Sequence, residues 1–350
     1  MPTYISWGDG ARTERGPGLL YHDELYLGID VGSVSTNLIV ANEQGQIVYQ
    51  EYLRTQGRPI PAVQEGLAGI CRAMPGIKVR AVGTTGSGRQ LAAAIVGADV
   101  VKNEITAHAV AAIHFRPDVQ TVIEIGGQDS KIIILREGVV TDFAMNTVCA
   151  AGTGSFLDQQ AARLGIPIAE FGEIALRSKN VVRIAGRCTV FAESDMIHKQ
   201  QVGHDMSDIL AGLCAAMVRN YMNNVGKGKD IRPPVLFQGG VAANLGMRKA
   251  LEEELDCPVV VPVAFDVMGA LGAALLAKAY AEDTGLPTSF RGFAVTFADY
   301  AIDSFECGDC ANRCEIINIH MDGVLIARWG SRCGRWGMEK VTAAHPHNAS

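Results

Sequence analysis

The sequence predicts an α/β fold with two similar halves, followed by a small cysteine-rich module. Three observations predict it. A pattern of strand, glycine turn, strand, tight turn and strand occurs twice, strand and helix patterns alternate through the rest of the chain, and four cysteines are grouped near the C-terminus. We expect an N-terminal extension over residues 1–24, a first half over 25–115, a second half over 116–282 and the module over 283–350.

The composition is that of a folded protein and argues against several classes of function. Hydrophobic residues make up 48% of the 350 residues and charged residues 19%, which is enough for a sizeable core. The net charge of −6 argues against a nucleic-acid-binding surface, which needs a basic field. Residues 1–18 lack the apolar run of a secretory signal, and the most apolar segment, residues 258–277, is interrupted by Pro262 and Asp266. We therefore expect a cytoplasmic protein with neither a nucleic acid nor a membrane as its partner.

The two copies of the strand pattern begin the two halves. In the first copy a strand ends at Asp30 and turns at Gly32, and in the second copy a strand containing Glu124 turns at Gly126. Both matched pairs lie 94 positions apart, and each copy continues with an apolar run, a tight turn and a further strand. An internal copy on this scale predicts two structurally similar α/β halves.

The segments between and after the copies have helical patterns. Asn103 precedes one of them and is predicted to be its N-cap. A strand then leads to a third glycine turn, Gly239-Gly240, and a later strand leads to a glycine-spaced helix from residue 269. Because strands and helices alternate, we expect sheets that are largely parallel at their centres. The other predicted helices span residues 62–74, 104–115, 152–164, 189–201, 205–225 and 244–255.

The three glycine turns predict a site for a polyphosphate. A turn without side chains lets backbone N–H groups approach phosphate oxygens closely. The acidic residues Asp30, Glu124 and Asp129 lie at the first two turns and are predicted to hold Mg²⁺ or to orient the attacking water. Residues 83–89 lack the lysine of a P-loop, so we interpret them as a loop beside the site. The predicted nucleotide contacts are Gly32, Ser33, Gly126, Gly127, Gln128, Gly239, Gly240 and Asn244.

The order of these turns resembles the actin-like ATPase superfamily. Asp30-Val-Gly-Ser33 is similar to its first phosphate motif, Glu124-Ile-Gly-Gly127 to its second, and Gly239-Gly-Val-Ala-Ala-Asn244 to its adenosine motif. The resemblance implies an actin/hexokinase/Hsp70-like ATPase fold that binds ATP and Mg²⁺ in a cleft between the halves. The second motif often begins with Asp, and the longer Glu124 stands here, which shifts the catalytic role toward Asp129.

Two cysteines are predicted to begin helices. Cys149 and Cys188 each precede a helical pattern, and the unpaired N–H groups at a helix N-terminus stabilise a thiolate. Two thiolates from one chain cannot complete a four-cysteine cluster, whereas two chains related by a two-fold axis could hold one [4Fe–4S] cluster between them. On spacing alone, two unrelated cysteines at helix starts are the favoured interpretation.

Five sequence stretches together carry a second resemblance: Ile125-Gly-Gly-Gln-Asp-Ser-Lys131, Cys149-Ala-Ala-Gly-Thr-Gly154, Cys188-Thr-Val-Phe-Ala-Glu-Ser194, Gly239-Gly-Val-Ala242 and Gly269-Ala-Leu-Gly-Ala-Ala-Leu275. Through them the chain, from residue 26 to about residue 279, resembles the ATP-dependent activators, or reductases, of 2-hydroxyacyl-CoA dehydratases and their benzoyl-CoA reductase and double-cubane relatives. The resemblance implies a homodimer that holds a [4Fe–4S] cluster through Cys149 and Cys188 of both chains. It implies that ATP hydrolysis drives one low-potential electron into a partner iron–sulfur enzyme, and that an external donor such as ferredoxin or flavodoxin resupplies it.

Four further cysteines lie near the C-terminus, with C-x2-C-x3-C spacing for Cys307, Cys310 and Cys314 and with Cys333 further along. Two strand patterns flank Asp322-Gly323, a hairpin signal that would fold the fourth cysteine back toward the third. Four thiolates so placed predict a metal site, holding either a second iron–sulfur cluster, which we favour, or Zn²⁺. The other cysteines are predicted to be structural: Cys71, Cys214 and Cys257.

Two other functions stay open at this point. A small-molecule kinase of the same fold would hold an acceptor hydroxyl in the cleft and would not depend on the cysteines. A metal-stabilised regulator would bind ATP only as a sensed ligand. ATP turnover measured with and without the cluster would separate the three hypotheses.

Overall fold

The computed structural model describes residues 24–146 and 149–336, so the predicted N-terminal extension lies outside the described residues except for Glu24. The strands are β1 (Leu25–Val31), β2 (Ser35–Ala41), β3 (Ile47–Arg54), β4 (Val79–Thr85), β5 (Val100–Val101), β6 (Thr121–Ile125), β7 (Ser130–Arg136), β8 (Val139–Asn146), β9 (Val235–Gln238), β10 (Val259–Val260), β11 (Tyr300–Glu306), β12 (Glu315–Met321) and β13 (Val324–Trp329). The α-helices are α1 (Pro59–Ala73), α2 (Arg89–Val96), α3 (Glu104–Phe115), α4 (Gly154–Leu164), α5 (Ile168–Ala175), α6 (Thr189–Gln201), α7 (Met206–Tyr221), α8 (Leu245–Leu255) and α9 (Met268–Thr284).

Two five-stranded sheets have the same topology. The first has the order β3-β2-β1-β4-β5 and the second the order β10-β9-β6-β7-β8. In each sheet an antiparallel meander, β1–β3 or β6–β8, pairs through its first strand with a parallel strand, β4 or β9. The duplication predicted from the sequence is therefore confirmed. The central strand of each sheet, β1 or β6, is parallel to its neighbour on one side and antiparallel to its neighbour on the other. The predicted parallel centre is therefore present on one side only, because the glycine turn after β1 or β6 reverses the chain directly into the next strand.

Helices α3 and α9 pack between the two sheets. One core cluster contains residues of both sheets together with alanines of these two helices. Their close approach requires glycine in the strands that α9 crosses. A Cβ atom on Gly28 would lie 1.9 Å from the carbonyl oxygen of Ala270, and one on Gly83 would lie 2.0 Å from that of Ala273. Although α9 lies mostly within the predicted second half, it packs on β1 and β4 of the first.

The other helices cover the outer faces of the sheets. Helices α4 to α8 enclose the core of the second half, in which Phe171 and Tyr221 are fully buried. Helices α1 and α2 cover the first sheet and bury Leu67 and Ile95. Among the helices of the described residues, none is long and apolar enough to cross a membrane.

Most predicted helices are present, with ends within three residues of those predicted. The N-cap prediction is confirmed, since the Asn103 side chain accepts a hydrogen bond from the N–H of Thr106 at 2.9 Å. Helices α2 and α5 are not among those predicted from the sequence. Helix α2 follows directly on the glycine-rich loop, and α5 has only eight residues with Gly172 in its interior. The helix predicted over residues 205–225 ends earlier and continues as a π-helical turn, Met222–Gly226.

The C-terminal module forms a three-stranded antiparallel sheet in the order β11-β12-β13. The predicted hairpin between β12 and β13 is confirmed, because Asp322 (φ 49°) and Gly323 (φ 78°) make a two-residue turn with positive φ. The segment that leads into the sheet is attached to the first half. Gln64 of α1 donates Nε2 hydrogen bonds to the carbonyl oxygens of Val295 at 3.2 Å and Ala298 at 3.0 Å.

Candidate functional site

The three predicted glycine turns converge at one edge of the two sheets. A Cβ atom on Gly127, in the second turn, would lie 2.7 Å from the side chain of Val34 in the first turn. A Cβ atom on Gly239, in the third turn, would lie 2.6 Å from Glu124 Oε1, and the positive φ of 88° at Gly239 also favours glycine. The structure therefore brings together the turns that the sequence predicted as a phosphate site.

The first two turns also repeat at the level of single hydrogen bonds. The N–H of Gly32 donates to the carbonyl oxygen of Ser35 at 2.8 Å, and the N–H of Gly126 donates to that of Asp129 at 3.0 Å. These bonds close the turns, so the amides of Gly32 and Gly126 already have acceptors. A nucleotide contact at these two glycines stays a prediction.

The tips of the turns are the accessible part of the site. Ser33, Gln128 and Gly240 are exposed. Asn244 differs, because it is 9% exposed and its Oδ1 accepts a hydrogen bond from the N–H of Met247 at 3.1 Å, which makes it the N-cap of α8. Its role in nucleotide binding also stays a prediction.

Asp30 lies at the end of β1 between two glycines. A Cβ atom on Gly269 would lie 2.0 Å from its Oδ2, and one on Gly86 would lie 2.5 Å from its Oδ1. Burial, with the nearby charge of Glu104, raises the pKa of Asp30 to about 7, against the opposing charge of Lys131. A nearby cation would stabilise the ionised form of this carboxylate, and carboxylate oxygens are common ligands of Mg²⁺, so Asp30 fits as a ligand of that ion.

Lys131 is the centre of the acidic part of the site. Its Nζ contacts Glu104 Oε2 at 2.7 Å, Glu124 Oε2 at 2.9 Å and Asp129 Oδ2 at 2.8 Å, and its side chain is only 2% exposed. Burial lowers the pKa of Lys131, but the three carboxylates outweigh burial and hold the pKa above its ordinary value. Lys131 is thus a fixed cation that holds three acidic side chains in place.

The two acidic residues of the second turn have different environments. Glu124 is buried, which raises its pKa to about 7 although Lys131 opposes the shift. The side chain of Asp129 is 33% exposed. Because only Asp129 combines a fixed position with access to solvent, it is the better placed of the two to contact a metal ion or a water molecule.

Sequence reasoning missed Lys131, Glu104 and the buried pair formed by His108 and Gln238. Gln238 Nε2 lies 2.8 Å from His108 Nδ1, and burial, followed by the charge of Lys131, lowers the pKa of His108 to about 3. The imidazole is therefore neutral and adds no positive charge to the cleft. One signal was available, since Lys131 stands directly before the apolar run of residues 132–135 in β7.

Cys149 and Cys188 each stand directly before a helical turn, as predicted. Cys149 precedes a 3-10 turn, Ala150–Gly152, that leads into α4, and the Asn146 side chain bonds its backbone on both sides, at 3.1 Å to the N–H and at 2.8 Å to the carbonyl oxygen. Cys188 is the residue before α6, and its carbonyl oxygen accepts from the N–H of Ala192 at 3.0 Å. Both thiols are partly exposed.

Helix α7 supports both cysteine segments. Asn220 of α7 donates Nδ2 to the carbonyl oxygen of Gly186, two residues before Cys188, at 2.6 Å. A Cβ atom on Gly152, three residues after Cys149, would lie 3.1 Å from Asn220 Oδ1. The two segments therefore share one supporting side chain, although they are 39 residues apart in the sequence.

The C-terminal cysteines are distributed around one end of the three-stranded sheet. Cys307 is buried, Cys314 is partly exposed, and Cys310 and Cys333 are exposed. In residues 24–146 and 149–336, no three His, Cys, Asp or Glu side chains are arranged to hold a metal ion, so the predicted quartet stays a prediction. Of the three cysteines predicted to be structural, Cys214 is buried, and Cys71 and Cys257 are partly exposed.

Comparison with known proteins gives consistent matches for the two α/β halves. Residues 27–277 match the BadF/BadG/BcrA/BcrD ATPase family. The chain is 38% identical over 263 residues to the (R)-2-hydroxyglutaryl-CoA dehydratase activating ATPase of Acidaminococcus fermentans, covering 72% of this chain and 96% of that protein. The crystal structure of (R)-2-hydroxyglutaryl-CoA dehydratase component A from the same organism superposes with a TM-score of 0.68 at 35% identity, covering 74% of this chain and 99% of that one. The activator of the 2-hydroxyisocaproyl-CoA dehydratase from Clostridium difficile, with bound ADPNP, superposes with a TM-score of 0.67 at 32% identity, covering 75% and 97%.

These matches confirm the actin/hexokinase/Hsp70-like fold predicted from the order of the turns. The family match ends at residue 277, so the C-terminal sheet lies beyond it. The chain belongs to the BadF/BadG/BcrA/BcrD ATPase family, as its motifs predicted.

Proposed function

We propose that this chain is an ATP-driven electron donor that activates a partner iron–sulfur enzyme. In this proposal two identical chains share one [4Fe–4S] cluster, and each chain hydrolyses ATP in its own cleft. The activator role is supported by the relatives, which are named as the activating ATPase of (R)-2-hydroxyglutaryl-CoA dehydratase, the activator of 2-hydroxyisocaproyl-CoA dehydratase and the activator of lactoyl-CoA dehydratase.

One observation carries the coupling between the nucleotide site and the cysteines. The carbonyl oxygen of Gly126 accepts from the N–H of Gly154 at 2.8 Å, and that of Gly127 accepts from the N–H of Ser155 at 2.8 Å and also from the Ser155 hydroxyl. The second turn is thus bonded directly to the first residues of α4, a few residues after Cys149. A displacement of this turn moves the support of Cys149.

The cysteine pair fits an iron–sulfur cluster that is shared by two chains. Thiolates are the usual ligands of such clusters, and each chain offers two of them at helix starts on a common support, Asn220. Val190 and Phe191, on the first turn of α6 beside Cys188, are each 66% exposed, which leaves apolar surface for a second chain to cover. When bound, a [4Fe–4S] cluster supplies a carrier for single electrons at low potential.

In the cleft, the residues of the chain bind the nucleotide and position its charges. We assign Asp30 and Asp129 as ligands of Mg²⁺ or of its water molecules, with Asp129 orienting the attacking water. Glu124 and Glu104 hold Lys131, and Lys131 in turn fixes Asp129. Lys131 cannot act as a general base at neutral pH, because its pKa is raised and its proton-bearing nitrogen already contacts three carboxylates.

In this proposal the phosphate chain of ATP lies between the first two turns, and movement is transmitted to the cysteines from there. Val34 of the first turn faces Gly127 of the second, so a γ-phosphate that both turns contact would hold them together. Its loss on hydrolysis would release the second turn, and with it the start of α4. Because exposure and N–H groups around the sulfurs set the potential of such a cluster, a movement of the segment that supports Cys149 would tune the potential of a cluster held there.

The partners follow from this chemistry. The acceptor is an iron–sulfur enzyme of the 2-hydroxyacyl-CoA dehydratase or double-cubane class, and the donor is a low-potential carrier such as ferredoxin or flavodoxin. We place the protein in the cytoplasm, which keeps thiols reduced.

The test compares wild-type protein with Cys149→Ser, Cys188→Ser and a control, Cys71→Ser, all purified without oxygen. We expect the wild type and the control to bind about four iron atoms per dimer and each site variant to bind none. The midpoint potential of the wild type should shift between nucleotide-free and ADPNP-bound protein. Iron-free wild type after anaerobic reconstitution, or full iron content in both site variants, contradicts the proposal.

ATP turnover separates this function from that of a small-molecule kinase. The kinase hypothesis predicts turnover that requires a hydroxyl acceptor and that is unchanged in Cys149→Ser and Cys188→Ser. The electron-donor hypothesis predicts turnover without any hydroxyl acceptor and with water as the phosphoryl acceptor. Product analysis by phosphorus NMR distinguishes inorganic phosphate from a phosphorylated acceptor.

A further inference from the structure

We propose that Cys307, Cys310, Cys314 and Cys333 bind one zinc ion that holds the C-terminal sheet closed. This site lies beyond the part of the chain that matches the family, residues 27–277, and does not depend on the proposed electron transfer. Although no three of these thiols are arranged around a metal position within residues 24–146 and 149–336, contacts hold the segments that carry them against one another.

The first three cysteines lie on the connection between β11 and β12. Cys307 follows the last residue of β11, and Cys314 precedes the first residue of β12. The N–H of Cys307 donates to the carbonyl oxygen of Cys314 at 2.8 Å, which closes the base of the loop. Within the loop, the N–H of Arg313 donates to the carbonyl oxygen of Cys310 at 3.2 Å, so the loop is a compact turn with one cysteine near its tip.

The chain after β13 returns to this loop. A Cβ atom on Gly330 (φ 107°) would lie 2.0 Å from the carbonyl oxygen of Glu315, so the chain passes directly against the start of β12. Three residues after Cys333, the indole Nε1 of Trp336 donates to Cys307 Sγ at 3.3 Å.

A second group of contacts holds the returning segment in place. Arg335 Nη1 contacts Asp309 Oδ2 at 3.0 Å, and the Trp336 ring packs edge-on against Phe305 at 5.2 Å between centroids. Cys333 therefore lies between contacts that bind its segment to the loop carrying Cys307 and Cys310. Binding of a metal requires the two exposed thiols, Cys310 and Cys333, to turn toward Cys307.

The hydrogen bond from Trp336 to Cys307 is of the kind that stabilises a metal-bound thiolate. An N–H donor directed at a ligating sulfur stabilises its negative charge and fixes its orientation. Here the donor comes from the segment that also carries the fourth cysteine, so metal binding and folding of the segment reinforce each other.

The small core of the sheet favours zinc over a redox cluster. Its fully buried side chains are few, mainly Ile316, Ile319 and Ala327, and β11 is exposed along most of its length. Modules of this size usually need a metal ion or disulfides to stay folded, and zinc with four thiolates supplies that energy. The module is attached to the first half through Gln64, whereas Cys149 and Cys188 directly precede helical segments of the second half. A structural role therefore accounts for these observations better than an electron relay does.

The experiment measures zinc and iron in full-length protein that is purified without oxygen from medium containing both metals. We expect about one zinc ion per chain in the wild type. Cys310→Ser and Cys333→Ser, which change exposed residues, should each lose the zinc and keep the iron, and the control Cys257→Ser should keep both. Cys149→Ser should lose iron and keep zinc, which separates this inference from the proposed function.

Several results would overturn the zinc site. Wild type without zinc, or zinc retained in both Cys310→Ser and Cys333→Ser, would do so. Loss of iron in place of zinc from these two variants would assign a second iron–sulfur cluster instead. Cobalt replacement covers the case in which a variant does not fold, because Co²⁺ bound to thiolates in the wild type gives an intense sulfur-to-metal absorption. Cobalt-loaded wild type without that band would also contradict the proposal.

Discussion

Replacing Lys131 with methionine removes the ammonium group that Glu104, Glu124 and Asp129 contact at 2.7–2.9 Å. The substitution keeps a long side chain and leaves the strand intact, so the main change is in charge. Removing one partner of a buried ion pair costs about 3–5 kcal/mol, because the remaining charge stays buried without compensation. The three contacts share one nitrogen and are not additive, so we expect a loss of about 3–5 kcal/mol in the free energy of unfolding at pH 8.

The loss should depend on pH, and its direction follows from Glu124. Its pKa in the folded protein is already about 7, above the ordinary value of 4.5, and without Lys131 it rises further. The stability that such a group contributes is present below its unfolded pKa and is lost as the pH rises through its folded pKa. The Glu124 part of the difference between wild type and Lys131→Met should therefore be small at pH 5 and grow toward pH 8, while the lost contacts with Glu104 and Asp129 add to the difference at both pH values.

Urea unfolding followed by circular dichroism at pH 5, 6.5 and 8 measures this difference. Lys229→Met is the matched control, since Lys229 contacts Asp142 at 2.7 Å on the surface, where an ion pair contributes about 0–1 kcal/mol. A Lys131→Met effect as small as that of the control, or one that does not change with pH, would refute the assignment of Lys131 as the cation that holds the site.

Three further predictions concern the cleft and helix α3, which carries Glu104. Asp30→Asn should abolish ATP hydrolysis. It should also stabilise the nucleotide-free protein, by up to about 4 kcal/mol at pH 8 and by about 2 kcal/mol at pH 5, because the pKa is raised from 3.8 to about 7. Unfolding curves that give an equal stability difference at both pH values contradict it. Gly269→Ala should weaken MgADPNP binding more than about tenfold in calorimetry, because the added Cβ would lie 2.0 Å from Asp30 Oδ2. The control Gly308→Ala, whose added Cβ has nothing within 4 Å, should bind MgADPNP normally. Equal affinities of the two variants would count against a role of Asp30 in nucleotide binding. Asn103→Ala should cost about 1 kcal/mol in urea unfolding, as expected for loss of the N-cap of α3, and no change would show that the cap is not stabilising.

The fold was predictable from the sequence because its main signals are local. The duplicated strand pattern, the N-cap at Asn103 and the Asp322-Gly323 hairpin each depend on residues close together in the chain. The position of α9 was not predictable from the sequence. It depends on the close packing of α9 against Gly28 and Gly83, which precede the helix by about 190 or more positions. Such an approach leaves no periodic signal in either segment.

The site was predictable in part for the same reason. Glu124 and Lys131 face each other across the antiparallel pairing of β6 and β7, so the hairpin register alone could have revealed their contact. Glu104 reaches Lys131 from α3, which only the tertiary structure shows. The cysteines could be placed at helix starts from the sequence, but their common support, Asn220, could not.

Native mass spectrometry of anaerobic protein reports the number of chains and the bound inorganic mass in one measurement, so it detects a cluster shared by two chains without any assay of activity. We expect a species of two chains plus one Fe₄S₄ unit, and loss of that unit when either Cys149 or Cys188 is replaced by serine. Single chains that each carry their own complete cluster, or dimers that keep the unit in both variants, would contradict it.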